Sequence, residues 1–270
     1  MNNLCIYHKK CADGFGAALA VKLYFDSIDQ TCEFIPAHYG DTPPDVKGKS
    51  VYIVDFSYPR DALITMNIEA NHLTVIDHHK TAQAALEGLD FCTFDMSKSG
   101  AVLTWEYLHD EPVPLLLQYI QDRDLWSWEM DNSKAISAAL KSLPMDFDTW
   151  ACHLNDVLRL SMRGEIILDH QNHEVQGIIN QDIPLVEIAG WMVPCVNTST
   201  HISEVGNQLS QGHAFAAMYF ETADKRVYSL RSAKDGIDVS AIASQFGGGG
   251  HFHAAGFSVE KSNINLAIIK

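Results

Sequence analysis

The sequence predicts an α/β protein: an N-terminal domain with a parallel sheet and flanking helices, and a smaller α/β C-terminal domain across a cleft. Three observations carry this. Short apolar runs alternate with stretches of helical spacing through the first hundred residues. One run, Val51-Tyr52-Ile53-Val54, is continuous, as in strands buried on both faces of a parallel sheet. After Gln181-Asp182-Ile183-Pro184 the pattern changes to strands joined as a hairpin. The domains are therefore expected at 1–183, including a helical linker, and 184–270.

Leu4 to Tyr7 reads as a short buried strand with His8 directly after it. Residues 9–16 form a polar turn containing glycine, and Ala17 to Phe25 a helix rich in Ala and Leu, which together make the first half of a βαβ unit. Asp13 reads either as a helix N-cap or as a ligand. Glu33 to Ala37 is a second strand, and Pro43, Pro44 and Gly48 make 41–48 a loop. Val51 to Val54 ends at Asp55, 61–71 has helical spacing, and Leu73 to Ile76 ends at Asp77-His78-His79. Three strands thus end on His8, on Asp55, and on Asp77 with His78. Ligands collect at this edge of open α/β sheets. Carboxylates beside neutral imidazoles suit a divalent metal and a phosphate that it polarises.

Phe91 to Phe94 is a further strand candidate, and 100–109 and 114–121 read as helices. In Asp122-Arg123-Asp124 one acid can complete a metal site with the other supporting it, or the acids can form a surface pair with arginine that contributes little. Trp126 and Trp128 are assigned to core or interface rather than to base stacking. Residues 133–173 read as mostly helical, with amphipathic runs at 150–162 and 166–179. Beyond the boundary, 191–197 is a strand and 201–211 a helix. Residues 215–220 and 226–231 form a hairpin around 222–225, and 239–246 is helical. Gly247 to Gly250 let the backbone approach a ligand closely, and their N–H groups can cradle an anion. His251 and a small-residue turn, Ala254-Ala255-Gly256, follow.

Composition narrows the function. The 270 residues are 47% hydrophobic and 20% charged, an ordinary globular balance. The formal net charge of −15 argues against wrapping long duplex DNA, which needs a basic footprint, but leaves a short phosphate substrate drawn to a site made positive by metals. The six cysteines (5, 11, 32, 92, 152, 195) show no Cys-x-x-Cys pair, which argues against a zinc ribbon or disulfide scaffold. No apolar run approaches the roughly 18 residues needed to span a bilayer, and residues 1–10 lack a signal core. A cytoplasmic, reducing location is expected.

With these motifs in order, the chain resembles the DHH phosphoesterase superfamily, in the branch with a GGGH-type C-terminal domain that includes RecJ-type exonucleases and nanoRNases. The resemblance rests on His8 to Gly14, Val54-Asp55, Asp77-His78-His79, the Asp122-Arg123-Asp124 region, Ser229-Leu230-Arg231-Ser232 and Gly247 to Gly256. It implies two divalent ions, manganese being the family's usual metal, with magnesium or cobalt as alternatives. One would be held by His8 and Asp55. The other would be held by Asp13, Asp55, His78 and an acid of the fourth motif, Asp122 being favoured over Asp124. Asp77 would orient neighbouring ligands. His79 would face the scissile phosphate, and Arg231 would stabilise its charge. Arg231, Ser232, the amides of Gly248, Gly249 and Gly250, and His251 would bind substrate. One departure stands out: Cys11 occupies a position where the family carries an acid, so it either binds metal as a thiolate or leaves the first metal loosely held. The implied activity is hydrolysis of phosphodiester bonds in short oligonucleotides or dinucleotides, in the manner of a 3′-5′ exonuclease or oligoribonuclease, by water activated between the two metals. The alternatives are a phosphatase of small compounds, such as a bisphosphonucleotide or polyphosphate, and a catalytically weakened binding protein. Expected partners are short nucleic acids or nucleotides, with no long duplex and no membrane; oligomeric state is left open.

Overall fold

The apolar runs of the first half become strands because each can bury both of its faces. β1 (Asn3–His8), β2 (Cys32–Ala37), β3 (Ser50–Val54), β4 (His72–Asp77) and β5 (Cys92–Phe94) form one sheet in the order β2-β1-β3-β4-β5, every pair parallel. The structure is a computed structural model and describes residues 2–263. Successive side chains leave a strand on opposite faces. Leu4, Ile6, Val51, Ile53, Leu73 and Val75 therefore enter one apolar layer, and Cys5, Val54 and Ile76 the other.

Eight helices accompany this sheet among the described residues: α1 (Ala12–Ser27), α2 (Arg60–Glu69), α3 (Lys80–Ala85), α4 (Gly100–Leu108), α5 (Leu115–Asp124), α6 (Ser133–Lys141), α7 (Phe147–Ala151) and α8 (Leu158–Ile179). α1 packs against β1, α4 and α5 and is buried almost all round. Its small residues permit this. A Cβ on Gly16 would lie 3.1 Å from both Ala101 and Ile120. α1 begins at Ala12 rather than Ala17, with Cys11 at its N-cap in extended conformation. Most of the predicted turn is thus the first helical turn. The run 150–162 is not one helix: α7 ends at Ala151 and α8 restarts at Leu158, where the Asp156 carboxylate accepts from the Leu158 amide.

The chain order places a switch between β1 and β3, from which connections leave in opposite directions along the sheet. Ligand crevices form outside the strand C-termini at such points. His8 ends β1 and Asp55 follows β3, so both flank this point.

The second unit holds β6 (Leu185–Ile188), β7 (Trp191–Asn197), α9 (Ile202–Leu209), β8 (Ala216–Glu221), β9 (Lys225–Arg231), α10 (Val239–Ser244), β10 (Gly249–Gly250) and β11 (Ala254–Glu260). Its sheet runs β10-β11-β9-β8-β7-β6, with β7 and β8 parallel and the other pairs antiparallel. Tyr228, Leu230, Val239 and Phe257 share one apolar layer. Val196, Val205 and Met218 share another with Val175 of α8. That packing is why the units part inside α8, as Met1–Leu168 and Asp169–Lys270, and not at 183/184. Ala254 to Gly256, read as a turn, are strand residues: Ala254 pairs with Arg231 and Gly256 with Ser229. No described helix is long and apolar enough to cross a membrane.

Candidate functional site

At the ends of β1, β3 and β4 the sheet gathers His8, Asp55, Asp77, His78 and His79. Asp77 is fully buried. Its Oδ1 accepts from the His78 amide at 2.7 Å, the His79 amide at 3.2 Å and the His79 ring Nδ1 at 2.7 Å. This fixes both histidines by one carboxylate oxygen. A carboxylate partner assigns the proton of the His79 ring to Nδ1. Asp55 sits just past β3 with φ +54°, a left-handed conformation that few residues other than glycine adopt. Such strain persists where the surroundings hold a functional side chain in place. His78 Nε2 lies 3.0 Å from Asp55 Oδ1 and 3.4 Å from Asp13 Oδ2, and His8 Nδ1 lies 3.4 Å from Asp55 Oδ2.

Asp13 is seated by residues far along the chain. Its two carboxylate oxygens accept from the amides of Gly100, at 2.6 Å, and Ala101, at 2.9 Å. These are the first amides of α4, whose N-terminus favours a negative charge. Gly100 is also needed for space, since a Cβ there would lie 2.6 Å from the Asp55 Cβ and 2.7 Å from its Oδ1. Gly14 has a similar role: a Cβ would meet the His8 carbonyl at 2.4 Å. Sequence reasoning did not find Gly100 and Ala101. Residues 100–109 read as a helix, but nothing in the sequence shows what its first amides hold.

The fourth motif needs a correction. The acid near His78 is Asp124, whose Oδ2 lies 3.6 Å from Nε2. Asp122 is turned to its own loop: its carboxylate accepts from the amides of Glu129 at 2.8 Å and Met130 at 3.4 Å, and its carbonyl from Ser127 and Trp128. Asp122 thus shapes the loop after α5, and of the two acids Asp124 is the one that faces His78.

The electrostatics fit a cation. Burial pushes the Asp13 carboxyl well above its usual range, with Asp55 and Asp124 adding and His78 opposing. Burial would raise Asp55 too, but His78 and His8 hold it well below the carboxylate range. Burial works against a charged His78, yet Asp55, Asp124 and Asp13 raise its pKa to about 10. His79 is raised against the effect of burial by Asp77. Burial raises the Cys11 thiol, and the same three carboxylates add to it. His8 Nδ1, Asp55 Oδ2 and Asp124 Oδ2 are buried atoms without a hydrogen bond. Buried polar atoms are rarely left so. Ligand-type atoms of Asp13, Asp55 and His78 all lie within 4.8 Å of one another, and so do those of His8, Asp55 and His79. Asp55 belongs to both groups. These acidic and imidazole groups could hold a metal ion, and oxygen with nitrogen is a donor set that suits a divalent cation.

In the second unit, Arg231 ends β9. Its Nη2 donates to Ser203 Oγ at 3.1 Å and its Nη1 to the Leu230 carbonyl at 2.8 Å. Gly206 of α9 leaves the space, as a Cβ there would lie 2.6 Å from Arg231 Cγ. Ser232 is buried, and its hydroxyl is 2.9 Å from His253 Nδ1. Sequence reasoning gave no role to Ser203 or His253. The glycine run is built differently from the expected cradle. The Gly248 amide donates to the Ala243 carbonyl, and Gly249 and Gly250 pair with Gly256 and Ala255. A Cβ on Gly248 would lie 2.1 Å from the Gly256 carbonyl oxygen. At Gly248 the run serves close backbone packing rather than anion binding. The His251 amide donates to the Ala254 carbonyl.

Fold and site together define an α/β protein with acids and imidazoles gathered at the switch point of a parallel sheet. The DHHA1 domain family matches residues 197–269. The uncharacterized protein R106 of Acanthamoeba polyphaga mimivirus is 30% identical over 282 residues, covering 95% of this chain and 67% of that protein. Oligoribonuclease NrnB of Bacillus subtilis (strain 168) is 28% identical over 219 residues, covering 72% of this chain and 54% of that protein. The chain spans between about half and two thirds of the length of these relatives. Among solved structures, the pGpG-specific phosphodiesterase PggH of Vibrio cholerae aligns with a TM-score of 0.52 at 14% identity, over 98% of this chain and 95% of that one. RecJ of Thermus thermophilus, in complex with Mn2+, aligns with a TM-score of 0.51 at 12% identity, over 97% of this chain and 50% of that one. These two share the fold. The chain belongs to the DHH phosphoesterase superfamily.

Proposed function

We propose that the chain is a metal-dependent phosphoesterase that hydrolyses phosphodiester bonds of short oligonucleotides or dinucleotides. The observation that carries this reading is the sharing of Asp55 between two groups of ligand-type atoms at one sheet edge. His8 and Asp55 would hold one divalent ion. Asp13, Asp55, His78 and Asp124 would hold the second, with Asp55 between the two. Manganese suits these donors, and the Mn2+ complex of RecJ supports the choice. The activities stated for NrnB and PggH support the substrate class. When bound, such ions polarise a phosphoryl group and lower the pKa of the attacking water.

The chain's own residues supply the rest. Asp77 accepts from His79 Nδ1 and fixes the ring's orientation, and the raised pKa of His79 suits it to give a proton to a phosphoryl or leaving oxygen. The α4 amides keep Asp13 in one rotamer, so the acid is pre-positioned. In the second unit, Arg231 and His251 would hold a nucleotide, the guanidinium offering paired donors to a phosphate. The net charge of −15 favours short substrates over long duplexes.

The test is incubation with Mn2+ and a panel of dinucleotides, short oligoribonucleotides, a bisphosphonucleotide and polyphosphate. Cleavage of the first two is expected. It should be lost in Asp77→Ala and His78→Ala variants that keep the wild-type circular dichroism. Cleavage of only the last two would favour a phosphatase, and active variants would remove the site assignment.

A further inference from the structure

Tyr39 stands on a rigid turn beside the candidate phosphate site. The turn follows β2 directly. The Asp41 amide donates to the His38 carbonyl at 3.0 Å, and the His38 amide donates back to the Asp41 carboxylate at 2.8 Å. Gly40 has φ +91°, as the third position of a type II turn requires. The turn is therefore closed from both ends, with Tyr39 at its corner.

The Tyr39 ring lies 5.5 Å from the His8 ring, 5.9 Å from His79, 5.1 Å from Phe56 and 6.1 Å from His38, centre to centre. The interplanar angles are 71°, 79°, 59° and 86°. Every contact is edge-on or tilted, so no described ring lies parallel to either face. The residue is 48% exposed. A half-exposed aromatic with no described ring parallel to it, beside two imidazoles of the candidate phosphate site, is placed to serve as a stacking platform. Bases of any sequence can stack on such a ring. The nearest rival, Trp126 with Trp128, is already engaged: the two rings meet at 5.0 Å, and the Lys134 ammonium lies 5.6 Å over Trp128.

We propose that Tyr39 is a specificity-determining residue that stacks on the base of the nucleotide whose phosphate lies at His8 and His79. The proposal rests on the phosphodiesterase reading and goes past it, by making the base itself a recognised group. Polyphosphate and other base-free phosphates would lack this contact.

The experiment measures equilibrium binding of a non-hydrolysable dinucleotide, and of its abasic counterpart, to the full chain in Mn2+. The readout is the ratio of the two dissociation constants. Base stacking corresponds to roughly 5- to 150-fold in affinity. Tyr39→Ala and Tyr39→Leu should collapse the ratio by about that factor, and Tyr39→Phe and Tyr39→Trp should keep it. An unchanged ratio in Tyr39→Ala overturns the proposal. So does a collapse in Tyr39→Phe, since the hydroxyl and not the ring would then be the contact. If the ratio depends on Tyr39 but natural dinucleotides are not cleaved, the stacking stands and the hydrolase reading falls. If neither ligand binds the wild type, both fall.

Discussion

Replacing Gly100 with alanine should weaken metal binding although Gly100 is no ligand. The new Cβ would lie 2.6 Å from the Asp55 Cβ, 2.7 Å from Oδ1 and 2.9 Å from Cγ. Non-bonded carbons rest about 3.5–4.0 Å apart, so something must move by about 1 Å. Asp55 has little room to give: it is 1% exposed, left-handed at φ +54°, and its Oδ1 is 3.0 Å from His78. α4 cannot retreat without stretching the 2.6 Å bond from the Gly100 amide to Asp13. Either way a proposed ligand shifts. Disturbing the groups that orient metal ligands typically costs about 10–100-fold in metal affinity. A 100-fold weaker Mn2+ affinity corresponds to about 2.7 kcal/mol less metal-linked stabilisation. At roughly 2–4 °C per kcal/mol, the Mn2+-induced rise in Tm should shrink by about 5–11 °C. Overpacking should also lower the metal-free stability by about 1–3 kcal/mol. Scanning calorimetry with and without Mn2+ reads both. Gly177→Ala, where a Cβ meets open space in α8, is the control. A Gly100→Ala protein with the wild-type Mn2+ shift would refute the account of how Asp55 and Asp13 are held.

Three further outcomes follow from the geometry. Asp124→Ala should reduce Mn2+ affinity by more than Asp122→Ala, while Asp122→Ala, which strands the amides of Glu129 and Met130, should lower urea stability by about 1–3 kcal/mol. The opposite order of affinities would return Asp122 to the ligand set. The metal-free His78 titrates at about 10, so at neutral pH it carries a proton that a metal must displace. Mn2+ affinity should therefore rise with pH between about 6 and 8, roughly tenfold per unit for each proton released. Calorimetry in buffers of different ionisation enthalpy counts those protons, and a flat profile would contradict the assignment. Gly206→Ala puts a Cβ 2.6 Å from Arg231 Cγ, so it should raise KM for a dinucleotide several-fold and leave the Mn2+-induced Tm shift unchanged. An unaltered KM would detach Arg231 from substrate binding.

The ligand-type residues at the strand ends were legible because both signals are local. An apolar run of strand length reveals its own end, and His8, Asp55 and Asp77 stand at those ends. Choosing between Asp122 and Asp124 was not a local matter. Two residues apart in the last turn of α5, they point about 200° apart around the helix axis, and only packing decides which one turns toward His78. The amides that hold Asp13 are 87 and 88 residues distant, beyond any spacing rule. Tyr39 gave no signal except the Gly40 turn beside it, since an exposed tyrosine after a strand is common. β11 escaped because Ala254-Ala255-Gly256 carries no β-branched residue, and its conformation is imposed by pairing with β9.

The bonds from α4 to Asp13 have a consequence for the growing chain. His8, Asp13, Asp55 and His78 are all synthesised before Gly100. Until that helix docks, Asp13 has no seat and Asp55 no wall behind it. A nascent polypeptide that stops short of α4 would therefore carry those four side chains and still fail to capture a cation. Under the proposed reading, ion loading would become a late checkpoint, following the docking of α4.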